Sequence, residues 1–370
     1  MRAIRIIVLG LTAVVLVTSS VLASEQNITS GLKTNFSGYI KLDASYDTGR
    51  VNPGDYARWV SPGDLESGQT EMHARQTRLW WTFTQPDIEG IKVTGKLEFD
   101  FFGGGADNKY LLLFRHAFAK IQWEKSNIYV LAGQTSDVIS PLVPTTVNYA
   151  VAWWAGDIGY RRPQIRLGWS GGSESTKLHL VGAATRAIGG EEQGLPAWQG
   201  RAAVSFPLSG KTAEIGVSGH YGLEGKIASS SADIESWSGN VDLSLPIGSK
   251  VVFTAEAYLG KNMDEYLGGV GQGYVDSTES IIESQGGWGA LALGPFDKWK
   301  FNVGGSMDDP NDNDLSTGWR SRNVSVWGNC WYNITDAAVV AYEVAWWETQ
   351  YKNGDSWDAI RNQFAFILKI

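Results

Sequence analysis

The stretch IKVTGKLEFDF, residues 91–101, decides how the chain is read. Ile91, Val93, Leu97, Phe99 and Phe101 alternate with Lys92, Thr94, Lys96, Glu98 and Asp100. Successive side chains of a strand point to opposite faces, so the segment predicts a strand with one apolar and one charged face. The same alternation recurs near both ends. Phe36, Ile40, Leu42, Ala44 and Tyr46 interleave with Ser37, Lys41, Asp43 and Ser45. Phe364, Phe366, Leu368 and Ile370 interleave with Arg361, Gln363 and Lys369. A soluble sandwich also alternates, so the connections have to separate the two architectures.

The pattern places 16 strands, near 34–47, 72–85, 90–103, 110–124, 127–134, 163–171, 175–187, 197–208, 211–222, 234–246, 249–261, 281–294, 298–307, 319–332, 336–349 and 356–370. Every second connection is short: Pro86 to Glu89, Lys125-Ser126, Gly172 to Glu174, Ser209-Gly210, Ile247-Gly248, Pro295 to Asp297 and Asn333 to Thr335. The intervening ones are mostly longer and polar, notably 48–71, 135–162, 262–280 and 308–318. An even strand count with short turns at one end and long loops at the other predicts an all-β fold, a transmembrane antiparallel β-barrel. Closure requires the first and last strands to pair, because an open edge in lipid leaves backbone groups without partners.

Composition agrees. The 370 residues include 44 Gly, 17 Trp and one Cys, with 19% charged. One Cys excludes a disulfide framework. The net charge of −8 argues against a nucleic-acid partner. Arg2 and Arg5 precede the apolar run Ile6 to Val17, with Val21 and Ala23 at the small-residue positions of a cleavage site. Residues 1–23 therefore read as a secretory signal peptide, too short to anchor a membrane, and 24–370 as a single barrel domain. The mature chain keeps 29 basic and 39 acidic residues, net −10. Trp123, Trp169, Trp299, Trp331 and Trp357 fall near strand ends, where indole suits the headgroup level. Outer-membrane lipid and lipopolysaccharide are the surroundings this implies.

A barrel of about 16 strands is too wide for side chains to fill and encloses water. Thr135 to Arg162 is long and apolar, stiffened by Pro141 and Pro144 and carrying Trp153-Trp154, and reads as a constriction loop folded into the pore. Arginine and lysine in a water-filled constriction select anions, and guanidinium matches carboxylates bidentately. Arg78 shares the lumen phase of Gln76, Thr82 and Thr84. Lys92 and Lys96 face inward among Glu98 and Asp100, while Arg161, Arg162 and Arg166 stand where the loop returns to its strand. Arg320 and Arg322 share a phase at a strand top, and Arg361 lies on the polar face of the last strand. The expected pore-lining set is Arg78, Lys96, Asp137, Asp157, Arg161, Arg162, Arg166 and Arg361. For each arginine the alternative is a salt bridge bracing the loop.

Several fragments resemble one family. Arg75 to Leu79 (RQTRL), Gly95 to Phe102 (GKLEFDFF), Arg115-His-Ala117 and Ala132 to Thr135 are similar to the DcaP-like trimeric outer-membrane porins. Ser140-Pro-Leu, Thr146-Val-Asn148 and Gly159 to Gln164 extend the resemblance, which is clearest over 36–168. It implies a 16-stranded homotrimer passing small anionic solutes such as dicarboxylates. Some members of that family carry a coiled-coil N-terminal extension, whereas here about ten residues are expected between Ala23 and the first strand, and the last residue is Ile370 rather than the aromatic common in outer-membrane barrels.

Other signals point elsewhere or nowhere. Asp308 to Asp314 lacks the glycine and terminal glutamate of an EF-hand and reads as a solvated loop. Gly268 to Gly273 lacks the strand-to-helix context of a phosphate loop and reads as a flexible loop. His73, His116, His179 and His220 show no metal or catalytic spacing, so no metal, cofactor or enzyme activity is expected. Cys330 reads as a wall residue, and the Asn27, Asn35, Asn323 and Asn333 triplets as turn signals. Competing readings are a cation- or sugar-selective pore, with Tyr149, Trp153, Trp154 and Tyr160 as an aromatic track, a barrel hydrolase on His116 or His179, and a barrel whose outer loops 48–71 and 262–280 bind at the surface.

Overall fold

A computed structural model describes residues 32–105, 109–186, 194–227, 229–230 and 232–370. The expected signal peptide, residues 1–23, and the Asn27 triplet lie outside the described residues.

Sixteen strands close a ring among the described residues. They are β1 Lys33–Asp47, β2 in two pieces Gln69–His73 and Arg78–Ile88, β3 Ile91–Asp100, β4 Leu113–Trp123, β5 Ile128–Ser136, β6 Arg161–Gly172, β7 Lys177–Thr185 and β8 Ala197–Leu208. The ring continues with β9 Lys211–Lys226, β10 Asp233–Pro246, β11 Val251–Lys261, β12 Glu283–Phe296, β13 Trp299–Pro310, β14 Arg320–Asn333, β15 Ala338–Tyr351 and β16 Ser356–Lys369. Neighbours in sequence pair antiparallel, and β1 closes on β16 from Tyr39 opposite Lys369 to Asp47 opposite Arg361. All sixteen expected strands are present, with the seven short connections gathered at one end.

The alternation sorts as the sequence requires. On β1, Lys41, Asp43, Ser45 and Asp47 are buried inside while Ile40, Leu42 and Tyr46 are exposed on the outer face. On β16, Arg361 and Gln363 are buried while Phe364, Phe366 and Leu368 lie outside. Trp123, Trp169 and Trp299 are exposed outside near the short-turn end. Trp331 and Trp357 differ from expectation. Both occupy the inward phase: Trp331 donates to Asn329 Oδ1 at 2.9 Å and packs on Val339 and Ile367, and Trp357 packs against the cluster of Trp347 and Ala359.

The lumen is partly filled. Three connections, 48–68, 137–160 and 262–282, fold inward, where one was expected. Val51, Ala57 and Val60 from the first, with Ala152 and Ala155 from the second, bury against inward-facing Trp288, Ala290, Trp327, Ala345, Trp347 and Ala359 on β12, β14, β15 and β16. The stretches 48–71 and 262–280, expected as outer loops, go inside because their apolar side chains, Met263, Tyr266 and Val270 among them, are removed from water there. Gly268 to Gly273 is likewise packed rather than free. Gly271 adopts φ +69, and a Cβ there would stand 2.9 Å from Trp154 Cδ1. The second inward connection is also shorter than 135–162. Thr135 and Ser136 pair with Arg162 and Arg161, so both arginines stand on the end of β6.

The β1–β16 seam is held inside by charge. Arg361 Nη1 lies 2.7 Å from Asp47 Oδ2 and donates to Gly54 O at 3.0 Å, with side chains 2% and 0% exposed. Arg361, expected to line the pore, therefore braces the seam beneath the first inward loop. Removing one partner of a buried pair leaves an uncompensated charge, which costs about 3–5 kcal/mol. Arg361→Met should lower the temperature at which the detergent-solubilised barrel unfolds, and the double change Asp47→Asn with Arg361→Met should restore part of the loss. Equal midpoints for the single variant and the parent would contradict this role.

Candidate functional site

The second inward connection hangs from polar groups on the wall. Its backbone donates to wall acceptors: Val138 N to Gln199 at 2.7 Å, Leu142 N to Glu256 at 2.7 Å, and Val147 N and Asn148 N to Glu343 at 2.7 and 3.2 Å. Glu256 and Glu343 are 4% and 2% exposed, so these wall acids face the loop and not water. At the loop tip, Val151, Ala152 and Trp154 hold φ values of 44, 66 and 63. That left-handed region costs an L-residue about 1–2 kcal/mol each, so packing must impose it. Trp154 N donates to Leu267 O at 2.8 Å and Gly159 N to Tyr266 O at 2.7 Å, so the third inward loop buttresses the second.

Several expected site residues belong to this scaffold. Asp137 pairs with Arg162 Nε at 2.7 Å and accepts from Gln199 at 2.8 Å and Tyr160 N at 2.8 Å, clamping the loop neck. Arg162 also stacks 3.9 Å over the Tyr266 ring and donates to Glu265 O. Asp157 is 1% exposed at the tip. Burial, with the Glu256 carboxylate nearby, pushes the Asp157 carboxyl well above the usual carboxylate range. Asp137 and Arg162 are thus buried at the loop neck in a mutual ion pair, and Asp157 is buried at the loop tip.

A basic cluster forms across β2, β3 and β4. Arg78 lies opposite inward-facing Tyr39, 3.4 Å from Asp100 and 3.7 Å from Glu98. A bulge on β4 turns Arg115 inward, where it meets Glu98 at 2.9 Å, Asp100 at 2.8 Å and the Tyr149 hydroxyl at 3.1 Å. Lys96 pairs directly with Glu98. Arg161 has no carboxylate within ion-pair distance among the described residues. It is 7% exposed, with Nε and Nη2 lacking hydrogen-bond partners, and lies 4.4 Å over Tyr160 and 5.4 Å from the Trp153 ring. Three cations, Arg78, Lys96 and Arg115, thus stand around two carboxylates. Arg166, further along β6, is half-buried and donates to Gln164 Oε1 at 2.9 Å.

Exposure locates the hydrated part of the lumen. Inward residues of β2 to β4, such as Thr82, Thr94, Lys96 and Lys120, are half-buried, whereas those of β14 to β16, such as Ser325, Thr349 and Gln363, are buried under the loops. Arg115 was missed by sequence reading because nothing in the sequence announces a bulge. A second bulge separates Arg320 from Arg322, which were expected to share a phase. Arg322 pairs with Glu348 at 3.6 Å on the outer phase, and Arg320 turns inward to Trp59.

The histidines belong to the wall. His116 bonds Thr135 Oγ1 at 3.0 Å, His179 lies between Ser170 and Ser205, and His220 between Ser236 and Ser238. At His179 the Glu214 carboxylate stands 4.0 Å from Nε2, beyond hydrogen-bond distance. Asp308 accepts from the Tyr258 hydroxyl at 2.8 Å, and Asp314 from Glu283 N at 3.1 Å, so the acidic run has protein partners.

No protein-family model matches the sequence, and no curated protein does. Solved structures do match. The outer membrane channel DcaP of Acinetobacter baumannii superposes with a TM-score of 0.76 at 18% identity, over 92% of this chain and 98% of that one. An anion-selective porin from Comamonas acidovorans gives 0.60 at 12% identity over 92% and 100%. OmpT of Vibrio cholerae, in a trimer form, gives 0.58 at 11% over 92% and 100%. The fold is that of outer-membrane porins, in keeping with the resemblance between the chain's motifs and the DcaP-like barrels.

The loop tip sets a test of this geometry. Gly156 has φ +115, and a Cβ would fall 2.3 Å from Gly287 O and 2.5 Å from Met307 O. Gly156→Val should lift the tip off the wall and change single-channel conductance and noise in planar bilayers. Unaltered traces from a folded variant would refute the seating.

Proposed function

We propose that the chain is a passive outer-membrane channel for small anionic solutes, dicarboxylates among them, exported by its leader and working as a homotrimer without cofactor or catalysis. The observation that carries this is the charge distribution of the lumen. Its hydrated face, β2 to β6, presents Arg78, Lys96, Lys120 and Arg166, with Arg115 and Arg161 beside them, against Glu98 and Asp100. The wall acids Glu256 and Glu343 accept loop N–H groups instead of facing solute. A chain of net −10 can therefore offer a basic path.

The likeness to an anion-selective porin and to a channel of the DcaP type supports this reading, as does the fit between guanidinium forks and carboxylates. A neutral sugar track is less well supported, because guanidinium groups lie against the rings it needs. Arg161 covers Tyr160 and Trp153, and Arg58 lies 5.1 Å from the Trp154 ring.

Reversal potential under a salt gradient, measured on the purified chain in a planar bilayer, should show anion preference. One charge at about 4 Å in water is worth about 1 kcal/mol, or about fivefold in relative permeability. Replacing Arg78 and Lys96 by Gln should lower the anion-to-cation ratio by about that factor or more, and Arg161→Gln should lower it further. Cation preference in the parent protein would overturn the assignment.

A further inference from the structure

Outside the basic face just described, two arginines meet where the three inward loops come together. The Arg58 guanidinium lies 4.4 Å from the Trp59 ring centroid, and Arg320 lies 4.1 Å from the same centroid. Two positive groups are thus held on one indole, with Arg58 also 5.1 Å from Trp154. Neither has a carboxylate within ion-pair distance among the described residues, and the neighbouring Asp55 is taken by Arg75. Their protein hydrogen bonds are few. Arg58 Nη2 donates to Asn52 Oδ1 at 2.5 Å and Arg320 Nε to Val270 O at 3.0 Å, while Arg58 Nε is buried without a partner. Both side chains are half-buried rather than enclosed.

The backbone around the pair is rigidly placed. Asn323 Nδ2 donates to both Arg58 O and Trp154 O at 2.7 and 2.8 Å, and Gln272 exchanges hydrogen bonds with Arg320 N and O at 2.9 and 2.7 Å. Like charges repel, and a fold that merely needed to fill this space could do so with apolar side chains. Indole faces attract guanidinium and orient its edge without neutralising it. The bulge between Arg320 and Arg322 is what turns Arg320 into this site instead of toward lipid.

From this geometry we infer a capture subsite for an oxyanion, carboxylate or phosphate, at the long-loop mouth. The anion bridges Arg58 and Arg320 before it reaches the basic face. The inference rests on the anion-channel reading above and adds to it a saturable, one-sided station upstream of the selective face. Free anions are the class that fits. The site opens inside the ring of loops, where membrane headgroups do not reach.

The test uses the full barrel in planar bilayers with inorganic phosphate as probe, added separately to each side. Phosphate current from the long-loop side should saturate, with half-saturation raised at least tenfold by Arg58→Gln or Arg320→Gln. Arg320→Lys, which keeps the charge but loses the planar fork, should fall between. Phosphate should also raise the unfolding temperature of the detergent-solubilised parent above that in chloride of equal ionic strength, and each Gln variant should lose that increment. Reversal potential is recorded in the same bilayers. Cation preference in the parent defeats the channel reading, while loss of the phosphate effects in the variants would still support the subsite. Unchanged saturation and unchanged thermal shift in folded variants overturn the subsite. Collapse of anion preference together with saturation overturns it too, since the arginines would then belong to the selective face.

Discussion

Strand backbone in hydrocarbon has no hydrogen-bond partner except another strand, and every other property of this molecule follows from that constraint. It forces the first strand onto the last, Tyr39 through Asp47 against Lys369 through Arg361. The inside of that seam is polar and buried, with Lys41 2.9 Å from Asp43, Gln363 donating to Asp43 at 2.9 Å, and Arg361 on Asp47. Lys41 also donates to Val147 O at 3.0 Å, so the seam and the constriction loop share one network. Closing sixteen strands makes a ring too wide for side chains, and the interior has to be furnished by loops.

The furnishing is uneven, and the unevenness makes the channel. On one side Trp288, Trp327 and Trp347, set among alanines, form an apolar seat on which two loops rest. Acids there take loop N–H groups, which consumes their acceptor capacity and removes them from solvent. On the other side Arg78, Lys96 and Lys120 stay only half-buried along β2 to β4, and the second loop reaches that wall at Arg115 through the Tyr149 hydroxyl. A barrel interior can thus contain a small hydrophobic core and an aqueous path side by side, as long as each has its own sector of wall.

Much of this was legible in the chain. Period-two alternation and the parity of turn lengths predict all sixteen strands, because lipid outside and water inside impose opposite chemistry on neighbouring residues. The constriction loop is legible from its length, prolines and paired tryptophans. The inward fold of 48–68 and 262–282 is not, since the packing of Val51 or Met263 depends on a wall built from the far end of the sequence. Trp331 and Trp357 mislead because strand-end tryptophan looks the same whether it faces headgroups or lumen. Bulges do the most damage to phase arguments: the one at β4 supplies Arg115, and the one on β14 separates Arg320 from Arg322. Among the expected lining residues, Arg78 and Lys96 are half-buried on the wall, whereas Asp137, Arg162 and Arg361 are buried in ion pairs, a distinction made by partners that alternation does not encode.

The interlocking of loops and wall also dictates timing. Val60 N donates to Thr349 across 289 residues of chain, and Arg361 reaches Asp47 across 314. The first loop therefore has no seat until the last strands have been synthesised, and the first strand's edge stays unsatisfied for just as long. Closure entropy on that scale is met only by contacts that form late, which makes assembly slow and concerted. Until its final segment arrives, a barrel of this design is an open sheet whose two edges lack partners. The step that seals it from lipid is the same step that shapes its pore.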